Sequence, residues 1–450
     1  MGRSPRARYD APVIRYLALA VLLLAATQAA PLPSGGDAAG PHVRQAATLL
    51  FTTFYRKLDA HDVVNAERTA LVAQLHKGHA KRLDLPRVAA SLSATDAPAA
   101  AAAEADAAVM FGASPAEAID TALKAMTTAT RDRYTTYFTA SEYRDFNEVL
   151  DPQKLSGIGV LLDVDPETKY VRAFFVVPET PADRAGLRSG DLLQSIDGLS
   201  ARGWSVADAR RHLLGKTGTP LDLTFAHPDS TSSQTVSLVR ADVKPPTVYF
   251  SMLPRDIAYI YVSTFGTDTA REFHVAVQRS ESAGARAYIV DLRNDGGGIV
   301  GTALQISSEF VSTGPLVSIE SNGGEIDTYE ADDKAIAPKP LAVLVNGYSA
   351  SASEITAAAL SESGAGVLVG TKTFGKGVVQ DVTRFPDGSA IKITTGRYFT
   401  PLNHDINGHG IVPAFVVEEN PKAIFGKPDQ DAQLSRALEV VERQLPLKGV

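Results

Sequence analysis

The sequence predicts a multidomain α+β protein, and three observations carry that prediction. First, 450 residues leave room for about three domains. Second, residues 154–243 hold short β-rich runs broken by turn signals, such as GVLLDV, YVRAFFVV, LDLTFA and TVSLVR. Third, from 244 to 420 apolar runs (AYIYVSTF, AYIVDLR, LAVLVN, AGVLVG, GVVQDVTRF) alternate with helical stretches at 269–283 and 353–362, the pattern of an α/β core.

Taken in order, residues 1–30 read as a secretory signal or an uncleaved anchor. Arg3, Arg6, Arg8 and Arg15 precede the apolar run Tyr16–Ala26 and then the small-residue stretch TQAA. The run is short for a membrane span of about 20 residues, which favours export to the periplasm or cell envelope. Residues 31–41 are rich in Pro and Gly and read as a linker. Residues 42–153 form a helical N-terminal region. Within it 42–88 carries helical periodicity (Leu49, Leu50, Phe54, Leu58), and the Ala-rich 89–109 reads as a low-complexity connection or weak helix. Ser114-Pro115-Ala116-Glu117 opens a further helix with a cap, a proline and an acid. The β-rich module spans 154–243, the α/β core 244–420, and an amphipathic helical segment occupies 421–450.

The net charge of −7 excludes nucleic acid as the main partner, since phosphate binding needs clustered Lys and Arg. There is no cysteine, so Cys nucleophiles, Cys-ligated zinc and disulfides are excluded together. No metal or other cofactor is implied by any motif.

Two motifs in the β-rich module suggest a grip for a chain end. Ser156-Gly157-Ile158-Gly159-Val160 leads into a strand, and its glycines let successive N–H groups converge on a carboxylate while the strand edge accepts an added strand. Pro181-Ala182-Asp183-Arg184-Ala185-Gly186-Leu187 and a later Gly190-Asp191 follow. Together they resemble a PDZ domain. That resemblance implies that Ile158 and Val160 line the pocket for the last side chain of a bound tail, with Leu213 facing them.

Three motifs in the core suggest acyl transfer. Val290-Asp291-Leu292-Arg293-Asn294-Asp295-Gly296-Gly297-Gly298 runs from a strand into a glycine turn whose N–H groups can face an oxyanion. Ser349-Ala350-Ser351-Ala352-Ser353-Glu354 lies between a strand and a helix, where a serine is exposed to a helix N-terminus. Ser351-x-x-Glu354 is equally a capping box, and by itself favours the cap. Thr373-Phe374-Gly375-Lys376-Gly377-Val378-Val379-Gln380 places a lysine at the start of an apolar strand. Burial disfavours the charged amine, which then becomes a base for a serine hydroxyl, with Gln380 four residues on to hold it.

In this order the three motifs are similar to those of the C-terminal processing, or tail-specific, peptidases. The resemblance runs from about 114 to 416 and includes TTATRDRYTTYFTASEY. It implies a crotonase-like core with an inserted PDZ-like domain, Ser351 as nucleophile, Lys376 as general base and Gln380 as its orienter. It further implies oxyanion donors at Gly297 and Ala352, and protein substrates with free C-termini; it leaves homodimerisation and an activating partner open. The turn reads N-D-G-G-G where many members have N-N-P-G-G, and Ala414 replaces an acid often found there. A Ser–His–Asp hydrolase fails because Gly347-Tyr348-Ser349-Ala350-Ser351 lacks the second glycine of an elbow. A P-loop fails because Gly377 follows Lys376 where Ser or Thr should stand. A non-catalytic binder of protein C-termini is the remaining alternative.

Overall fold

The computed structural model describes residues 23–28, 38–77, 85, 87–151, 155–165, 168–177, 179–188, 190–227, 230, 232–419 and 430–445. Most of the expected secretory segment lies outside these residues. Its described part is β1 (Leu23–Gln28), an edge strand parallel to β18 below. No helix among the described residues is long and apolar enough to cross a membrane.

The N-terminal region contains α1 (Gly40–Thr53), α2 (Ala60–Lys77), α3 (Ala97–Met110), α4 (Pro115–Ala129), β2 (Thr136–Phe138) and α5 (Ala140–Leu150). Helix α1 takes up the last two residues of the stretch read as linker, because Pro41 fits a helix's first turn. The Ala-rich stretch is a well-formed helix over much of its length. Alanine is the strongest helix former, and Ala97, Ala101, Ala105 and Ala108 are buried where α3 packs against α1. Helix α4 begins with the expected cap: Ser114 Oγ accepts from the Glu117 N–H at 3.3 Å, and Glu117 Oε2 accepts from the Ser114 N–H at 3.1 Å.

The β-rich module contains β3 (Leu155–Gly157), β4 (Val160–Val164), β5 (Val171–Val176), α6 (Pro181–Arg184), β6 (Leu192–Ile196), β7 (Leu199–Ser200), α7 (Val206–Leu213), β8 (Pro220–Ala226), β9 (Ser233–Val239) and β10 (Ala241–Val243). Its sheet runs β4-β5-β6-β8-β9, with β7 on β6. The entering β3 and the leaving β10 pair antiparallel, so the module hangs on a two-stranded neck.

The core contains β11 (Val248–Leu253), β12 (Ile257–Val262), α8 (Thr269–Ser282), β13 (Ala287–Asp291), α9 (Val300–Ser308), β14 (Pro315–Ser321), β15 (Ile326–Glu330), β16 (Leu341–Val345), α10 (Ala352–Glu362), β17 (Val367–Gly370), β18 (Val378–Arg384), β19 (Ala390–Phe399), β20 (Phe415–Val416) and α11 (Ala432–Gln444). One sheet runs β11-β12-β13-β16-β17-β20 and is parallel from β12 onward. Strands β12 and β16 are apolar, and β13 is apolar up to its terminal Asp291, because both faces are covered. Ala258, Ile260, Val290 and Val343 pack into a cluster shared with α8, α9 and α10, while Ile257, Tyr259, Ile289 and Leu344 pack on α11. A second sheet, β1-β18-β19-β14-β15 with β2 on β19, lies between the core and the N-terminal helices. Val379 and Tyr398 face the former, and Phe385, Ile391 and Ile393 the latter.

Candidate active site

The glycine turn leaves the carboxyl end of β13, the serine motif leaves that of β16, and the lysine motif follows β17. In a parallel sheet these ends converge on one crevice, the usual place for a site. Ser351 has φ 64° and ψ −118°, a conformation that non-glycine residues rarely adopt, so the strand-to-helix turn is strained at this residue.

Hydrogen bonding distinguishes the three serines of the motif. Ser349 Oγ donates to the Leu292 carbonyl at 2.7 Å, and Ser353 Oγ donates to the Asp295 carbonyl at 2.9 Å. Ser351 Oγ is buried and has no partner among the described residues. The capping box is held by its Glu354 arm: Glu354 Oε2 accepts from the Ser351 N–H at 2.9 Å.

The same carboxylate ties the serine and lysine segments together. Glu354 Oε2 accepts from the Lys376 N–H at 2.9 Å, and Oε1 accepts from the Gly375 N–H at 2.8 Å and from Thr373 Oγ1 at 2.5 Å. Tyr398 adds a second tie, donating to the carbonyls of Ser351 and Lys376. Lys376 is fully buried, and that burial holds its amine well below the ordinary lysine value. The positive charge of Lys392 pushes the same way, and Glu354 opposes it. Lys392 is itself lowered to about 8 by burial. Gln380 is buried on β18, with Nε2 on the Val378 carbonyl at 3.3 Å and Oε1 unpartnered among the described residues.

Gly297 lies against the serine. A Cβ there would come within 2.8 Å of Ser351 Cβ and of the Ala352 nitrogen, and φ is 93°, so only glycine fits. The Ala352 N–H has no partner among the described residues. The Gly297 N–H instead donates to Asp295 Oδ1 at 2.8 Å. Asp295 is buried, its Oδ2 is unpartnered among the described residues, and burial raises its carboxyl well above the usual range. No cluster of His, Cys, Asp or Glu among the described residues could hold a metal ion.

In the β-rich module Gly157, Ile158, Gly159, Val160, Leu213 and Leu214 line a groove of about 370 Å³ between β4 and α7. The N–H groups of Ile158 and Gly159 have no partner among the described residues. Gly159 has φ 83° and would drive a Cβ within 2.4 Å of Thr180. The Arg240 guanidinium caps the end of α7 through the carbonyls of Leu213 and His212, bringing positive charge behind this loop.

Several residues at the site escape reading by motif. The second role of Glu354, the ties from Tyr398, the Asp295–Gly297 bond and the ring of Tyr134 beside Lys376 all depend on contacts between distant segments. Glu354 left a signal as the acid of the capping box, Asp295 as part of the glycine turn, and Tyr134 only as part of the segment TTATRDRYTTYFTASEY.

A profile of peptidase family S41 matches residues 256–417, and a PDZ-domain profile matches 176–226. The carboxyl-terminal-processing protease of a Picosynechococcus species is 33% identical over 315 residues, covering 69% of this chain and 76% of that one. The carboxy-terminal processing protease CtpA of Bacillus subtilis is 32% identical, covering 67% and 64%. Among solved structures, the photosystem II D1 C-terminal processing protease is 25% identical, with a TM-score of 0.46 over 84% of this chain and 93% of that one. The chain belongs to the S41 family of serine peptidases, among the carboxyl-terminal-processing proteases, and carries their PDZ domain.

Proposed function

We propose that the chain is an endopeptidase that grips the free C-terminal tail of a protein and cuts it with a Ser351–Lys376 dyad through an acyl-enzyme. One observation carries the choice of nucleophile: of the three serines in the motif, only Ser351 has a hydroxyl with no partner among the described residues. In this reading the tail carboxylate docks on the N–H groups of Ile158 and Gly159, and its last side chain enters the groove beside Leu213. Neutral Lys376 takes the Ser351 proton as Oγ attacks the scissile carbonyl, and Gln380, whose Oε1 is unpartnered among the described residues, turns toward the amine to orient it. The oxyanion is held by the N–H groups of Ala352 and Gly297. The Gly297 N–H must first leave Asp295 Oδ1, an exchange eased because a neutral carboxyl accepts more weakly than a carboxylate. Lys376 then protonates the leaving amine, and water releases the acyl group. Arg3 to Arg15 and the apolar run behind them support export to the cell envelope.

The test compares wild type, Ser351→Ala and Lys376→Ala on an unfolded protein with an apolar free C-terminus and on the same protein amidated there. Wild type is expected to cut the free-tailed form, with both variants reduced by about 10³-fold or more. Binding of the free tail without cutting by wild type would replace this reading with that of a tail-binding module.

A further inference from the structure

We infer that Tyr134, from the segment preceding the PDZ domain, is a positioning residue for the reaction: its ring closes the Lys376 amine off from water and fixes it toward Ser351. The inference rests on the reading of Lys376 as base. Lys376 Nζ lies 4.9 Å from the centre of the Tyr134 ring. An amine against a ring face is dry on that side, and its N–H groups meet the electron-rich face of the ring.

The segment holding this ring is itself held. Asp132 accepts from the Thr135 N–H at 3.1 Å, from Thr135 Oγ1 at 2.7 Å and from Thr394 Oγ1 on β19. Thr135 Oγ1 in turn accepts from the Thr394 N–H at 3.0 Å. The turn is therefore pinned to the strand beside β18, which carries Gln380. The Arg133 guanidinium lies 4.7 Å from the centre of the Tyr134 ring and 5.4 Å from that of Phe374, two residues before Lys376. The hydroxyl of Tyr134 is taken by Arg133. The ring, not the hydroxyl, is thus the part offered to Lys376, and phenylalanine should serve in its place.

The charged and titratable groups around the amine come from every element packed on it: Glu354 from α10, Lys392 from β19, and Asp132 and Arg133 from the turn itself. Without the ring, water reaches the amine, and rehydration of the ammonium outweighs the ring's attraction for a cation that is lost with it, so the amine regains its proton at a higher pH and the loss of rate depends on pH. A merely structural defect would lower the rate evenly.

The experiment measures kcat and KM across pH for full-length wild type, Tyr134→Phe, Tyr134→Ala and Lys376→Ala on the free-tailed unfolded protein, with thermal unfolding of each. Tyr134→Ala is expected to lower kcat by about 10²-fold near neutral pH, because a displaced catalytic group loses rate on that order. Its acid limb should move to higher pH with KM little changed, and Tyr134→Phe should keep the wild-type limb. An acid limb left in place by Tyr134→Ala, a rise in KM without a fall in kcat, or a Phe variant as impaired as the Ala variant would each overturn the inference. Wild-type cutting by Lys376→Ala would instead remove the dyad on which it rests.

Discussion

At the scale of single residues the site is built from groups kept in states that water would not allow. Lys376 is buried with its amine shifted toward neutrality, which suits the base proposed above and costs stability. An unfolded lysine holds its proton up to about 10.5, whereas the buried one sheds it at much lower pH. Stability from this group is therefore present above the unfolded value and is lost as pH falls toward the folded one. Lys376→Met, which keeps length and removes the amine, is expected to be inactive yet to melt higher than wild type near neutral pH, by roughly 2–4 °C in a thermal scan. Cleavage by wild type should decline at acid pH as the amine regains its proton. A profile flat down to about pH 4 would exclude Lys376 as the base.

At the scale of elements, two interfaces make separate predictions. Glu67 on α2 and Glu104 on α3 are both buried in the N-terminal bundle, and three of their four carboxylate oxygens lack partners among the described residues. Burial raises both, Glu67 well above its ordinary value and Glu104 to about 7. Protonated, they fit the bundle. Stability from them is full below the unfolded value of about 4.5 and is lost as pH rises through the folded values. Glu67→Gln should stabilise the protein at about pH 8 by on the order of 1 kcal/mol or more and flatten the pH dependence of unfolding. In the PDZ groove, Gly159 holds a left-handed turn against Thr180. Gly159→Val should distort the loop proposed to receive the tail carboxylate. KM for a free-tailed substrate should rise about tenfold or more while kcat changes less, a pattern of lost ground-state binding.

For the whole molecule, the C-terminal helix is wired to the catalytic core. Arg293, beside the glycine turn, makes buried ion pairs with Asp291 at 2.6 Å and with Asp431 at 2.8 Å, and Asp431 also caps α11 by accepting from the Leu434 N–H at 3.0 Å. Removing one partner of a buried pair costs about 3–5 kcal/mol. Asp431→Ala should destabilise the fold by an amount in that range, measured by denaturant unfolding, and should lower activity by loosening the turn that carries Gly297. A change below about 0.5 kcal/mol would show that α11 is not needed to hold the turn.

The sequence by itself determined the class of the chain and pointed to its candidate site. Glycines, caps and apolar runs act over a few residues, so the strand before Gly296, the turn at Ser351 and the strand after Lys376 were legible in order, as were the glycine loop before β4 and the helix α7. The Ala-rich stretch was harder to read. Its composition suits a helix, but α3 is settled by alanines fitting closely against α1. The tertiary structure alone decided which serine is free. Ser349 and Ser353 are spoken for by carbonyls of Leu292 and Asp295, more than 50 residues away in sequence. It alone joined Ser351 to Lys376 through one carboxylate of Glu354, laid the ring of Tyr134 on the amine, and placed Asp295 on the Gly297 N–H. Hydrogen bonds and desolvation depend on which groups meet in space, and between distant segments no local pattern records that meeting.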